Sequence, residues 1–300
     1  MPLRLERLPG NPIINPQTPG YDATTLGDNI NGPSLIRAPD WLPDALGRYY
    51  LYFAHHQGTH VRLAYADDLA GPWTIHGPGT LTLDQTPFAA HIASPDLHVD
   101  HDQRRLRMYY HGCGGVETPW GIEQPTMLAF SADGLHWRTN TELLGESYFR
   151  VLTVGDGWTY AVAKGGRLYR SADGITGFTM RSRRLDYSAR HWAVRVGADR
   201  IDWFYSRWGD QPEHLLHAIT PLPADWEQWR VQDRYSLLRP EHAWEGADQP
   251  IAVSLPGSVH EPVHELRDPA YFRDDDGREY LLYTTAGESG IALARLIEEA

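Results

Sequence analysis

Arg48-Tyr-Tyr-Leu-Tyr-Phe53, Val61-Arg-Leu-Ala-Tyr-Ala66 and Asp67-Asp-Leu-Ala-Gly-Pro-Trp73 carry the pattern that decides the fold. An aromatic-rich strand is followed by a second apolar strand, then by a tight polar turn that ends on Trp. Gly32-Pro-Ser-Leu-Ile-Arg37 comes before them as a Pro-led strand and completes a unit. The unit recurs as Ser94-Pro-Asp-Leu-His-Val99, Leu106-Arg-Met-Tyr-Tyr110, Thr126-Met-Leu-Ala-Phe130 and Ser131-Ala-Asp-Gly-Leu-His-Trp137. A third copy spans Tyr148-Phe-Arg-Val-Leu152 to Phe178, a fourth spans His191-Trp-Ala-Val-Arg-Val196 to Trp229, and a fifth runs from Asp268-Pro-Ala-Tyr-Phe272 to Leu296. Alternating or wholly apolar runs read as strands packed on one or both faces. The Asp-Gly turns suit hairpins because both residues tolerate positive φ.

Five four-stranded meanders along one chain predict an all-β protein, a five-bladed β-propeller of antiparallel blades forming a single domain over residues 1–300. A two-sheet sandwich is the competing architecture, and it seldom repeats one hairpin signature so evenly. The fifth unit lacks an outer strand. Leu3-Arg-Leu-Glu-Arg-Leu8 alternates Leu with charge as an edge strand does, and pairing it there would close the ring. Residues 240–265 carry few strand signals and read as an extended crossing on the face that bears the site.

Composition narrows the function. Against 27 Lys plus Arg stand 39 Asp plus Glu, a net charge of −12 that argues against general nucleic-acid binding. No apolar run approaches the about 20 residues of a membrane span. The first ten residues lack the apolar core of a signal peptide, so a cytoplasmic location is expected. Cys113 is the single cysteine, which rules out an intramolecular disulfide and a multi-thiolate metal site.

The meander with Tyr-Tyr-Leu-Tyr in its second strand and Asp-Leu-x-Gly-Pro-Trp after its third resembles glycoside hydrolase family 43. The invertase-like family 32 shares that architecture. The resemblance covers about residues 20 to 296 and implies carboxylates at the starts of the first strands, working on a glycosidic bond. It implies that Asp96, in Ser94-Pro-Asp96, matches the Asp of an Ala-Pro-Asp pattern that tunes the acid and helps orient the base. The first unit departs, with Asn31-Gly32-Pro33 where the family has Asp directly before Pro, and Asp28 stands as a replacement. The third departs too: Tyr148-Phe-Arg150 replaces a Glu-Gly-Pro start, and Glu146 lies close by. Glu265-Leu-Arg-Asp-Pro269 is similar to the Arg-Asp-Pro of the invertase-like relatives, in a different blade.

Asp96, Asp268, Asp28 and Glu146 are therefore the candidate catalytic carboxylates. Hydrolysis needs one protonated and one ionised carboxyl across the bond, and Arg267 beside Asp268 favours an ionised base or stabiliser. The loops from second to third strands should open on the same end. With the strand starts they offer Asn31, His55, His56, His111, Arg150, Lys164, His191, Arg207, Arg267 and Glu288 to bind substrate. The cations among them suit an anionic sugar such as a uronate.

His55, His56, His91, His111 and His191 make this face His-rich, and two or three of them with Asp96 would suit a divalent ion. The hydrolase reading requires no cofactor. Trp73, Trp137 and Trp229 occupy the repeat position and read as blade packing, whereas Trp120, Trp192, Trp208 and Trp244 are core or sugar platforms. Three functions are in contention: a glycoside hydrolase acting on a small oligosaccharide or glycoside, a His-dependent and metal-assisted sugar lyase or other sugar-modifying enzyme, and a non-catalytic sugar-binding propeller.

Overall fold

The computed structural model describes residues 2–118 and 121–299, so Trp120 lies outside the described residues. Five separate four-stranded antiparallel sheets replace the two layers of a sandwich. The first blade is Asn31–Arg37, Tyr49–Ala54, Arg62–Ala66 and Thr74–Ile75; the second is His91–Asp100, Arg105–Cys113, Thr126–Ser131 and Arg138–Gly145. The third comprises Arg150–Thr153, Thr159–Ala163, Arg167–Ser171 and Thr179–Arg184. The fourth comprises Ala189–Val196, Arg200–Arg207, Leu215–Pro221 and Gln232–Leu238. Arg267–Arg273, Glu279–Thr285 and Gly290–Glu298 make the fifth, and the amino-terminal strand Leu3–Arg7 completes it. That strand pairs antiparallel from Leu3↔Glu298 to Arg7↔Ala294, closing the ring with the two ends of the chain.

The core is divided among the seams between neighbouring blades. Tyr50, Tyr52 and Leu63 of the first blade pack with Ile92, Met108 and Trp137 of the second; Val162 and Leu168 of the third pack with Trp192, Trp203 and Trp229 of the fourth. Trp73, Trp137 and Trp229 are all buried at these seams.

The repeated turn has a physical basis. Ser131 Oγ accepts from the Gly134 N–H at 2.8 Å, and Asp133 Oδ1 accepts from the N–H groups of Leu135 and His136 at 2.8 Å each. Ser171, Asp173 and Gly174 repeat the arrangement, and Gly134 and Gly174 sit at φ of 79° and 69°. Tyrosines bolt the turns across the seams: Tyr52 Oη donates to Gly134 O at 2.8 Å, and Tyr109 Oη donates to Gly174 O at 2.6 Å.

Each blade's first strand lines the axis. In the first, second, fourth and fifth blades this strand carries the same bulge near its start, between Asn31 and Ser34, Ala93 and Asp96, Ala189 and Trp192, and Arg267 and Ala270. An extra residue there re-aims side chains where the strands converge. No helix among the described residues is long and apolar enough to cross a membrane.

Candidate active site

At the entry ends of the inner strands, three blades place a residue in left-handed backbone: Gly32 at φ 56°, Ser94 at 48° and Asp268 at 47°. A Cβ built on Gly32 would lie 2.9 Å from Ser94 Cα, so the side chain expected before Pro33 has no room. A carboxylate reaches the position from the neighbouring blade instead, since Asp268 Oδ2 accepts from the Gly32 N–H at 3.1 Å. Its Oδ1 is in contact with His191 Nδ1.

The third blade enters the funnel with Tyr148, at φ 66° just before its inner strand. A bulky aromatic in this region is a strained outlier, of the kind that concentrates at functional sites. Its ring meets His111 edge-on at 4.4 Å and His191 edge-on at 4.0 Å between centroids, while His91 packs against His111 at 6.1 Å. Burial, and then neighbouring cationic groups, hold His111 and His191 well below the usual imidazole range, so both are neutral at pH 7. Burial, reinforced by the Glu288 charge, pushes the Tyr148 phenol up to about 12. His111 Nδ1, both ring nitrogens of His191, Asp268 Oδ1 and Asn31 Oδ1 are buried without a hydrogen-bond partner among the described residues.

Beside this stack runs a charge network. Arg190 donates from Nε to Glu213 Oε1 at 2.9 Å and from Nη2 to Glu213 Oε2 at 3.0 Å, and Ser206 donates to Glu213 at 2.6 Å. Arg267 pairs with Glu265 and, at 3.0 Å, with Glu288. His56 Nδ1 lies 3.5 Å from Glu288 and 3.4 Å from the Asn31 amide. Burial alone would raise the Glu288 carboxyl, but His56, Arg267 and Asn29 outweigh it and keep it low. Glu213 is likewise held low, against burial, by Arg190 and Arg267. Neither Glu213 nor Glu288 is therefore poised as a general acid.

The crossing at residues 240–265 lies over this network, as its composition implied. Arg190 donates to Leu255 O and Gly257 O, Arg267 donates to Gly257 O, Asn29 donates to Val259 O at 2.8 Å, and Ser254 donates to Glu213. Apart from the short 3-10 turn Ala243–Glu245, the segment has no regular structure.

Arg150 divides the axial channel. Its guanidinium donates to Pro95 O at 2.9 Å, Pro33 O at 3.2 Å and Trp192 O at 3.2 Å, tying three inner strands together. Asp96 faces a cavity of about 380 Å³ lined by the later halves of the inner strands, and Asp268 is not among the walls of that cavity. Asp96 and Asp268, expected to face one another, are not brought together in this cavity. Asp96 accepts from His98 Nε2 at 2.9 Å and from Val151 N–H at 2.8 Å. Burial would raise its carboxyl, but His98, Arg150 and the Val151 N–H hold it low.

The other expected carboxylates stand on the rim. Glu146 is held at 3.0 Å by Arg184 and at 3.4 Å by Arg167, in a second cavity of about 430 Å³ that also contains Lys164 and Tyr187. Lys164 lies 5.9 Å from the Tyr148 ring, forms no ion pair among the described residues, and is lowered mainly by burial. Asp28 is exposed, against His55 and His260. Arg207 is paired with Asp186 at 3.2 Å. Two or three of His55, His56, His91, His111 and His191 were expected to hold an ion with Asp96, but among the described residues His55 is with Asp28, His91 with Cys113 at 3.2 Å and His191 with Asp268, while Asp96 is with His98. Trp192 is core, stacked on Tyr205 at 4.4 Å, whereas Trp208 packs on Tyr187 and Trp244 stacks on His242.

Sequence reasoning passed over Tyr148, Arg190, Glu213 and His260 as site residues. Tyr148 was signalled by its place at the start of a repeat unit, and Arg190 by its adjacency to His191. Glu213 and His260 carry no local signal.

Comparison with known proteins now places the chain. It is 35% identical over 326 residues to an uncharacterized protein of Acanthamoeba polyphaga mimivirus, an alignment covering 97% of this chain and 89% of the viral one. The chain belongs to that protein's family. No model of a described protein family matches it. The architecture is that of the family-43 glycoside hydrolases. Such an enzyme from Xanthomonas citri superposes with a TM-score of 0.60 at 12% identity, covering 91% of this chain and 88% of its own. An α-L-arabinofuranosidase of Lactobacillus brevis gives 0.62 at 11% identity, covering 95% and 92%. An endo-1,4-β-xylanase of Bacteroides thetaiotaomicron gives 0.60 at 13%, covering 89% and 90%. These likenesses establish a shared glycosidase-like fold.

Proposed function

We propose that this family member is a carbohydrate-active enzyme that cleaves an acidic sugar chain by β-elimination, with His191 as base and Tyr148 as acid. The observation that carries the reading is the Tyr148 ring, held in strained backbone between two neutral buried histidines. The fold supports a sugar ligand, since the Xanthomonas citri enzyme has been crystallised with xylose and with xylotriose.

His191 Nε2 takes the proton on the carbon next to the uronate carboxylate. The C–H electron pair becomes the new C=C bond as the C–O bond to the neighbouring sugar breaks, and the leaving oxygen takes the Tyr148 proton. Asp268, whose Oδ1 lies against Nδ1, would hold the ring proton there and leave Nε2 to accept. The Lys164 ammonium neutralises the substrate carboxylate, without which its α-proton is too weakly acidic. Tyr148 regains its proton from His191, and the cycle closes.

The test is incubation of the purified chain with uronate-containing oligosaccharides alongside neutral xylo- and arabino-oligosaccharides. The expected product is an unsaturated uronate, read by its ultraviolet absorbance. Saturated reducing sugars from neutral substrates would overturn elimination and favour hydrolysis. Asp268, at the inner-strand start of the funnel, supports that second reading. No turnover of any substrate by the folded protein would overturn both.

The ionisations predict a pH profile. A base with its pKa below the usual 6.5 is competent at neutrality and loses its lone pair only on acidification. We expect kcat/KM to rise with pH through an acid limb below 6.5 and to stay level across neutrality. It should then fall as Lys164 loses its proton below the usual 10.5, an alkaline limb visible in KM. A profile that peaks in acid would contradict the assignment.

A further inference from the structure

Three side chains from distant parts of the chain meet on the rim of the funnel. Asp28 precedes the inner strand of the first blade, His55 follows that blade's second strand, and His260 belongs to the crossing. Asp28 Oδ1 lies 3.4 Å from His55 Nε2 and 3.1 Å from His260 Nδ1, and the three ligand atoms all fall within 4.8 Å of one another. An ion about 2.1 Å from each of three tetrahedral ligands would hold them about 3.4 Å apart. The two sides that meet at Asp28 are close to that length, and the third is within 4.8 Å.

Two further features hold the geometry. A Cβ on Gly27 would fall 2.6 Å from His55 Cδ2 and Nε2, so the absence of a side chain at position 27 makes room for this imidazole. Asn29, next to Asp28, donates to Val259 O at 2.8 Å, next to His260, and holds the two segments in register. The side chains of His260 and Asp28 are 42% and 65% exposed, which leaves a fourth coordination position open to solvent. Two imidazoles and one carboxylate with an open position suit zinc and its borderline neighbours. Calcium and magnesium prefer an all-oxygen shell.

We propose that Asp28, His55 and His260 form a three-ligand site for a zinc-class divalent cation that clamps the crossing segment onto the first blade at the mouth of the funnel. The clamp would tie down the strand of chain whose carbonyls receive Arg190 and Arg267. The proposal is independent of the reaction assigned above, because it concerns binding and the mobility of the crossing.

The test uses the tag-free full-length chain, stripped with a chelator and then titrated with Zn²⁺ alone by calorimetry, with elemental analysis of the product. We expect one equivalent per chain, with affinity reduced at least about 10–100-fold in His260→Ala and in Asp28→Asn, the loss that removing even an outer-shell partner produces. Zn²⁺ should also slow proteolytic cutting within residues 251–264 of the wild type and leave cutting of the His260→Ala chain unchanged. No bound Zn²⁺ in the folded wild type, or wild-type affinity in both variants, would overturn the site. Preference for Ca²⁺ or Mg²⁺ would overturn the donor assignment. Protection that survives His260→Ala would overturn the clamp.

Discussion

Replacing Tyr148 with Phe is expected to lower kcat by about 10²–10⁴-fold, the range associated with loss of a positioned proton donor. The ring, its edge-on contacts with His111 and His191, and the strained backbone all persist in the variant. Only the phenolic proton is removed, and that proton is the one delivered to the leaving oxygen. KM should change little, because binding of the substrate carboxylate falls to Lys164. The measurement is kcat and KM on the substrate found in the product screen, with thermal melting as a control. Full kcat in a folded Tyr148→Phe protein would remove Tyr148 from the reaction. A loss of kcat matched by a loss of melting temperature would assign it a packing role.

Glu213→Ala should be the most destabilising single change near the site, by about 3–5 kcal/mol. Glu213 is fully buried and accepts from Arg190, Ser206 and Ser254, with Arg267 at 3.6 Å. Removing it leaves two buried guanidiniums close together without the charge between them. Breaking a buried pair costs far more than the pair contributes against an apolar replacement, because the remaining ion keeps its desolvation penalty. It also removes the acceptor of the Ser254 hydroxyl in the crossing. Denaturant unfolding of wild type and Glu213→Ala measures the change. A difference within the about 0.5 kcal/mol typical of surface substitutions would show that the network relaxes around the loss.

Asp96 shows why the site was harder to read than the fold. It was singled out because Ser94-Pro-Asp96 matches a familiar pattern, and it does lie on an inner strand, on the axis. Which half of the channel it addresses depends on Arg150, a residue of another blade that spans three inner strands and stands between the cavity Asp96 lines and the His–Tyr stack. Asp268 shows the converse. Its Asp-Pro motif was visible, but its partnership with Gly32 exists only because the fifth blade lies beside the first in the closed ring. His260 belongs to a stretch whose composition marked it as a crossing, and nothing local to that stretch points to Asp28 or His55.

By itself the sequence determined the five-unit repeat, the serine–aspartate–glycine turns, the seam aromatics and the amino-terminal edge strand. Each of these follows from interactions a few residues apart or from side-chain periodicity, and a linear pattern records such interactions directly. The tertiary structure alone decided which polar groups meet. Five inner strands bring residues more than two hundred positions apart to one axis, and the bulge at the starts of four of them re-aims side chains there. Ring closure then selects the neighbour. The Asp268–Gly32 contact, the His111–Tyr148–His191 stack and the Asp28–His55–His260 triangle arise at that step, because contact at an axis depends on angles summed around the whole ring.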